Sequence, residues 1–259
     1  MRALKQLVRF GWIQALSCLF PVVIFSSLAI TQILPLPFLP RYDWLLIICL
    51  LMQWGMVHSG LETRDELKVI TVFHLIGLAL ELFKTHMGSW SYPEEGYFKI
   101  DGVPLYSGFM YASVASYLCQ AWRRMKVELV QWPPFLVVVP LAAAIYLNFF
   151  THHYWIDIRW GLSVLVLFVF WKSWVTYEVN GTRYQMPLAF SFVLIGFFIW
   201  IAENIATFFG AWEYPNQTDA WSLVHLGKVS SWLLLVIVSF LIVATLKQVK
   251  GEKSLMRNN

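Results

Sequence analysis

Long apolar runs separated by short polar breaks dominate the chain, and eight of them approach the roughly 20 residues with which an α-helix crosses a bilayer. They cover residues 12–34, 44–57, 67–90, 104–122, 135–151, 160–174, 187–210 and 223–246. The second and sixth are short and gain length only by recruiting Leu61, or Val175 and Tyr177. The pattern predicts an all-α polytopic membrane protein with eight transmembrane helices.

Basic residues sort onto alternate connections, as cytoplasmic loops enriched in Lys and Arg require. Fourteen of the 19 fall on one side: Arg2, Lys5, Arg9, Arg64, Lys68, Arg123, Arg124, Lys126, Lys172, Arg183, Lys247, Lys250, Lys253 and Arg257. Arg41, Lys99 and Arg159 fall on the other, and Lys84 and Lys228 lie within spans. Both termini are therefore expected in the cytoplasm. Composition agrees: 59% of residues are hydrophobic and 13% charged, against about 25% charged in soluble proteins. The net charge of +4 is a topology signal, with no sign of a nucleic-acid partner. Cys18, Cys49 and Cys119 lack metal-ligand spacing and read as packing residues.

Glu81, Thr85, Gly88, Trp90, Tyr92 and Pro93 recur as Glu203, Thr207, Gly210, Trp212, Tyr214 and Pro215, always 122 residues later. Chance at about 5 to 10% per position gives about one such match in a window of this length. The single integral membrane domain, residues 1–259, is thus expected to contain two parallel four-helix repeats, residues 11–122 and 134–247.

An ionisable residue inside an apolar span is costly and points to function. Glu81 and Glu203 occupy equivalent helices, and His74, Glu81, Thr85 and Gly88 share one helical stripe. With Trp90 and Trp212 in an interfacial belt, nine residues of helix would set both carboxyls about 13 Å deeper. Carboxyls at matched depth form an acid/base pair, one protonated beside an ionised partner. Asn204 is a local partner for Glu203. Lys84 either pairs with a carboxylate or extends toward the surface. Trp221, His225 and Lys228 share one face if the last helix begins at residue 221, and at the repeat offset Tyr106 matches Lys228. His225 would then shuttle protons and Lys228 neutralise a carboxylate. The candidate catalytic set is Glu81, Glu203, His225 and Lys228; the candidate substrate-binding set is Lys84, Thr85, Trp90, Tyr92, Tyr106, Thr207, Trp212 and Tyr214. His152, His153 and Asp157 suggest a metal, but adjacent helical His side chains diverge by about 100°, so a polar interfacial loop is the better reading. His58, Glu62, Arg64, Asp65 and Glu66 read as a solvated charged cluster. No metal or cofactor is expected.

Gly88-Ser89-Trp90-Ser91-Tyr92-Pro93-Glu94-Glu95, followed by Gly102-Val103-Pro104-Leu105-Tyr106-Ser107-Gly108-Phe109-Met110-Tyr111, resembles the YoaT-like family of bacterial membrane proteins. The likeness covers nearly the whole chain and implies a multi-pass protein of the bacterial cytoplasmic (inner) membrane without naming an activity. In part, Glu81, the segment ending at Tyr92 and Gly102-Val103-Pro104 are similar to membrane carotenoid hydratases. Trp90-x-Tyr92-Pro93-Glu94 is similar to heterodimeric-type lycopene cyclases, although Pro104 is followed by Leu105, Tyr106 and Ser107 where a cyclase has Pro-x-Glu-Glu. These likenesses imply protonation of a polyene within the bilayer by Glu81 and, through the repeat, Glu203. The expected function is acid/base chemistry on an apolar, isoprenoid-like lipid. The alternatives are a proton-coupled small-molecule transporter and a non-catalytic membrane assembly protein.

Overall fold

The structure, a computed structural model, describes the backbone of residues 2–257 and the side chains of residues 3–244. The side chains of Arg2, Lys247, Lys250, Lys253 and Arg257, which enter the charge count above, lie outside the described residues. Mostly helical, the chain forms α1 (Arg2–Ser17), α2 (Leu19–Ile33), α3 (Arg41–His58) and α4 (Arg64–His86), then the strands β1 (Lys99–Ile100) and β2 (Val103–Pro104). Next come α5 (Ser107–Arg124), β3 (Glu128–Val130), α6 (Phe135–Thr151), α7 (Arg159–Val169), β4 (Trp174–Val179), β5 (Thr182–Pro187), α8 (Leu188–Phe208) and α9 (Lys228–Arg257).

Each apolar run yields a helix, but one helix among the described residues, α8, is long and apolar enough to cross a membrane unaided, with a mean hydropathy of 2.0 over its window. A second span results if the pair α1–α2, bent by 69°, counts as one. The break falls at Cys18 because Pro21 has no N–H to give and its ring would strike the carbonyl of Ser17 four residues earlier. The helix α4 has the length, at 23 residues, but carries Arg64, Asp65, Glu66, Lys68, Glu81 and Lys84. With 11 residues, α7 extends about 16 Å, half a hydrocarbon layer.

Sheet replaces the expected all-α architecture at two places. In β1–β2 the turn is Asp101-Gly102, with φ of 47° and 81°. In the three-stranded antiparallel sheet, ordered β3-β4-β5, it is Asn180-Gly181, with φ of 49° and 73°. Two positive φ angles in succession match the right-handed twist of a two-residue hairpin, which Asn-Gly and Asp-Gly adopt at least cost. That preference ends the sixth apolar run early: Trp174, expected to close a span, opens β4.

By packing, the chain divides into two compact units, Met1–Arg124 with Ile199–Leu226, and Met125–Phe198 with Gly227–Asn259. In the second, α6, α7 and α9 pack pairwise, and Gly196 lets its helix approach so closely that a Cβ there would stand 3.0 Å from the backbone nitrogen of Leu233. The first unit is built around α4 and α5. A capping box starts α4: the Thr63 side chain accepts from the Glu66 N–H at 3.2 Å and the Glu66 carboxylate accepts from the Thr63 N–H at 2.9 Å. Further along, Gly77 and Gly108 bring the two helices together. A Cβ on Gly77 would lie 2.4 Å from the Tyr111 ring, and one on Gly108 would lie 2.7 Å from His74.

This packing makes two glycines on neighbouring helices behave oppositely. Gly77→Ala drives a methyl into Tyr111 and is expected to destabilise the protein by about 1–3 kcal/mol, as overpacking does. Gly55, inside α3 with nothing within 4 Å of an added Cβ, should gain roughly 0.5–1 kcal/mol on replacement by Ala. Thermal unfolding of the purified variants reads both, as a lowered Tm for Gly77→Ala and a raised Tm for Gly55→Ala.

Candidate functional site

The repeated motif builds the same local structure twice within the first unit. Glu81 lies five residues before the end of α4, and Glu203 five before the end of α8. Each helix then stops at a left-handed glycine, Gly88 at φ 66° and Gly210 at φ 65°. The Gly88 and Gly210 N–H groups bond to the carbonyls of Thr85 and Thr207, and those of Ser89 and Ala211 bond to Lys84 and Ala206, all at 2.9–3.0 Å. This pattern ties off orphan carbonyls and reverses the chain. The reversal corrects the depth argument. The residue nine positions after the acid does not sit about 13 Å away along a helix; the Trp90 indole folds back to donate to Glu81 Oε2 at 2.6 Å. Each carboxyl is therefore only about 7.5 Å from its helix end.

Two positions further on, the tyrosines complete the motif. The Tyr92 hydroxyl donates to Glu81 Oε2 at 2.7 Å, and the Tyr214 hydroxyl donates to Glu203 Oε1. Tyr111 of α5 donates to Glu81 Oε1 at 2.8 Å from the groove that Gly77 leaves open. Glu81 and Glu203 are each 3% exposed, so these donors replace hydration that burial removes. Outside the helices, burial first and then the Glu81 charge hold the Tyr92 phenol well above its ordinary pKa. Burial and then Glu203 do the same for Tyr214.

A pair of backbone hydrogen bonds joins the copies. Ser91 and Glu213, equivalent at the 122-residue offset, form an antiparallel bridge with both N–H···O distances at 3.0 Å. A reciprocal bond between equivalent residues is what a local two-fold axis demands. Trp90 of the first copy packs edge-on against Tyr214 of the second, with ring centroids 6.0 Å apart. Tyr106 donates to the carbonyl of Ala211 at 2.5 Å, packs at a tilted angle against Tyr42 and meets Tyr92 edge-on. Trp212 is buried with them. The bridge thus brings Glu81, Glu203, Trp90, Tyr92, Tyr106, Trp212 and Tyr214 into one acid and aromatic cluster.

Other candidates lie elsewhere or act differently. Lys84 is buried, its ammonium 5.9 Å from the centre of the Phe83 ring, and does not reach the surface. The Thr85 hydroxyl is buried without a hydrogen-bond partner. Thr207 donates to the Asn204 carbonyl and accepts from the Trp221 indole at 3.2 Å. Asn204 does not serve Glu203: its carboxamide donates to the Trp200 carbonyl and accepts from the Val224 N–H at 2.9 Å. With the Trp200 indole on the Val224 carbonyl, these bonds hold residues 221–225 outside any helix. The helical face expected for Trp221, His225 and Lys228 is consequently not formed, His225 is exposed, and α9 begins at Lys228, which belongs to the second unit.

Arg41 is the residue the sequence reading undervalued. It enters the charge count as an outer loop cation, yet its guanidinium bonds to Glu94 Oε1 at 2.5 Å, to the Leu28, Phe209 and Gly210 carbonyls and to Thr31 Oγ1. It thereby neutralises the carbonyl end of α8 directly after Glu203. Asp43, 1% exposed, fixes the segment after Tyr92 by accepting from the Tyr97 and Phe98 N–H groups at 2.8 and 3.0 Å. The solvated cluster expected around Glu62 is also corrected. Glu62 and Glu66 are each 2% exposed. Glu62 accepts from Ser116 and Gln53, and burial, its largest influence, pushes its pKa up. In the second unit, Asp157 accepts from Asn148 and Arg159. Burial alone would raise its pKa, but the hydrogen bonds and charge of Arg159 bring it down to about 2. His152 and His153 lie ring on ring, and no group of three metal-ligating side chains occurs among the described residues.

Removing one donor from each acid tests the repeat. Tyr92→Phe and Tyr214→Phe are each expected to cost about 1.5–3 kcal/mol, the range for hydrogen bonds to charged groups. Because Trp90 stacks on Tyr214, the double variant should lose measurably more or less than the sum of the two. Additive losses in thermal unfolding would show that the copies are energetically separate.

The model of a family described as protein of unknown function (DUF817) matches residues 6–240. The chain is 86% identical over 252 residues to a Bacillus subtilis (strain 168) protein titled "Uncharacterized protein YoaT", covering 97% of this chain and 96% of the relative. No solved structure matches. On both the family model and this relative, the chain belongs to the DUF817 family, of which YoaT-like proteins are members.

Proposed function

We propose that this is a multi-pass protein of the bacterial cytoplasmic membrane with both termini cytoplasmic, which performs acid/base chemistry on an apolar, isoprenoid-like lipid. The observation that carries the reading is the pair of 3%-exposed carboxyls, each bonded to the tyrosine eleven positions later, in one cluster across the Ser91–Glu213 bridge. A buried carboxyl costs a few kcal/mol in hydrocarbon, and two at equivalent positions imply a use for both.

The chemistry follows from the donors. The Trp90 indole can only donate, so Glu81 Oε2 is reserved as an acceptor. A proton on Glu81 therefore sits on Oε1, where the Tyr111 hydroxyl can turn to accept it. At Glu203 the Tyr214 hydroxyl, counterpart of Tyr92, donates to Oε1. One carboxyl gives its proton to a substrate double bond; the other takes a proton from the resulting cation or from water that adds to it. The likeness of Glu81, the segment to Tyr92 and Gly102-Val103-Pro104 to carotenoid hydratases supports a polyene as substrate. His225, exposed, and Lys228, at the start of α9, have no role in these steps.

A second reading draws on one fact: protein donors occupy both Glu81 oxygens, as a purely structural clamp would need. Lipid and metabolite profiles of cells bearing Glu81→Gln or Glu203→Gln, at matched protein abundance, separate the two. The acid/base reading expects one lipid species to accumulate and another to fall at least tenfold in both variants. Unchanged profiles with normally abundant protein would favour the clamp.

A further inference from the structure

Residues 34–40, Leu-Pro-Leu-Pro-Phe-Leu-Pro, join α2 to α3 and form an exposed apolar surface of the first unit. Seven consecutive residues, 32–38, are exposed, and Phe38 is 95% exposed. Phe38 also has φ at 75°, a left-handed conformation that is strained for an L-residue and that glycine adopts freely. In water, this side chain would be unfavourable twice, through its backbone and through its apolar surface. Both costs are offset where the ring is removed from water.

The surroundings identify the medium. Between Arg9 and Arg41 there is no charged residue, a stretch of 41 − 9 − 1 = 31 positions. Pro35, Pro37 and Pro40 have no N–H, so the segment cannot extend a partner's sheet. Leu34 and Leu36 flank Phe38 with 63% and 39% of their surface exposed. The Trp44 indole donates to the Pro37 carbonyl at 3.1 Å and braces the turn. Arg41, at the base, is committed to Glu94 and to the end of α8. A braced, uncharged, protruding tip suits a fluid apolar medium better than a shaped protein surface.

We propose that the 34–40 segment is a finger lying at the headgroup boundary of the bilayer, where its backbone stays hydrated, with the Phe38 side chain at its tip inserted among the acyl chains, anchoring the Arg41–Glu94 side of the acid cluster to lipid. This rests on the membrane reading above. The test is a nitroxide on Phe38→Cys, with Leu36→Cys as a second site, in full-length Cys18→Ser protein; Cys49 and Cys119 are buried from the label. The protein is reconstituted in phosphatidylethanolamine and phosphatidylglycerol vesicles, with Phe198→Cys on α8 and Glu95→Cys as references. Collisions with oxygen several-fold above those with a water-soluble nickel chelate at 36, 38 and 198, and the reverse at 95, would support the finger. Oxygen preference at 198 with nickel preference at 38 would overturn it while leaving the membrane reading intact. Nickel preference at both would overturn the two together. Shielding of 38 from both reagents would mean a protein partner or a second copy, and would also overturn it.

Discussion

A carboxyl group withdrawn from water must be given donors, and much of the first unit follows from that requirement. Glu81 sits in a helix whose apolar neighbours offer none, so its partners come from chain that has turned back on itself or from the next helix. The left-handed Gly88 makes the return possible, Trp90 and Tyr92 supply two donors, and Gly77 admits Tyr111 as the third. Each element is small; together they replace a hydration shell.

The same requirement recurs at Glu203, and the two solutions are joined. Ser91 and Glu213 exchange backbone hydrogen bonds, while Tyr106 reaches across to the Ala211 carbonyl. Arg41 holds the carbonyl end of α8 against α2 and the Glu94 segment. Around the acids, the aromatic rings contribute area and polar tips at little conformational cost. The cluster is therefore a buried, hydrogen-bonded setting for two acids.

How much of this was legible in sequence depended on the range of the interaction. Each apolar run marked helical chain, although the first run holds parts of two helices and most of α1 precedes it, and the 122-residue repeat singled out the acids, the tyrosines and the glycines. The turn chemistry of Asn180-Gly181 and the ring of Pro21 were equally local signals, and they account for the hairpin and the break at Cys18. The depth of Glu81 was misjudged because counting 1.5 Å per residue past Gly88 assumes the helix continues. Arg41, Asp43, Tyr111 and the burial of Glu62 were not legible, since their partners are 30 or more positions away or depend on helix packing. A charge count treats such residues as loop cations or anions because sequence does not reveal which side chain a fold will enclose.

The central claim is that the two copies of the motif meet through equivalent residues. Directly opposed hydrogen-bonded residues of an antiparallel pair have Cα atoms about 5.5 Å apart, within disulfide range. Ser91→Cys with Glu213→Cys, in protein lacking Cys18, should therefore form a disulfide under mild oxidation in native membranes, seen as a linked peptide by mass spectrometry. A mismatched pair, Ser91→Cys with Asn216→Cys, should not. No link between residues 91 and 213 in folded protein would mean that the copies do not meet, and the paired-acid account would fail.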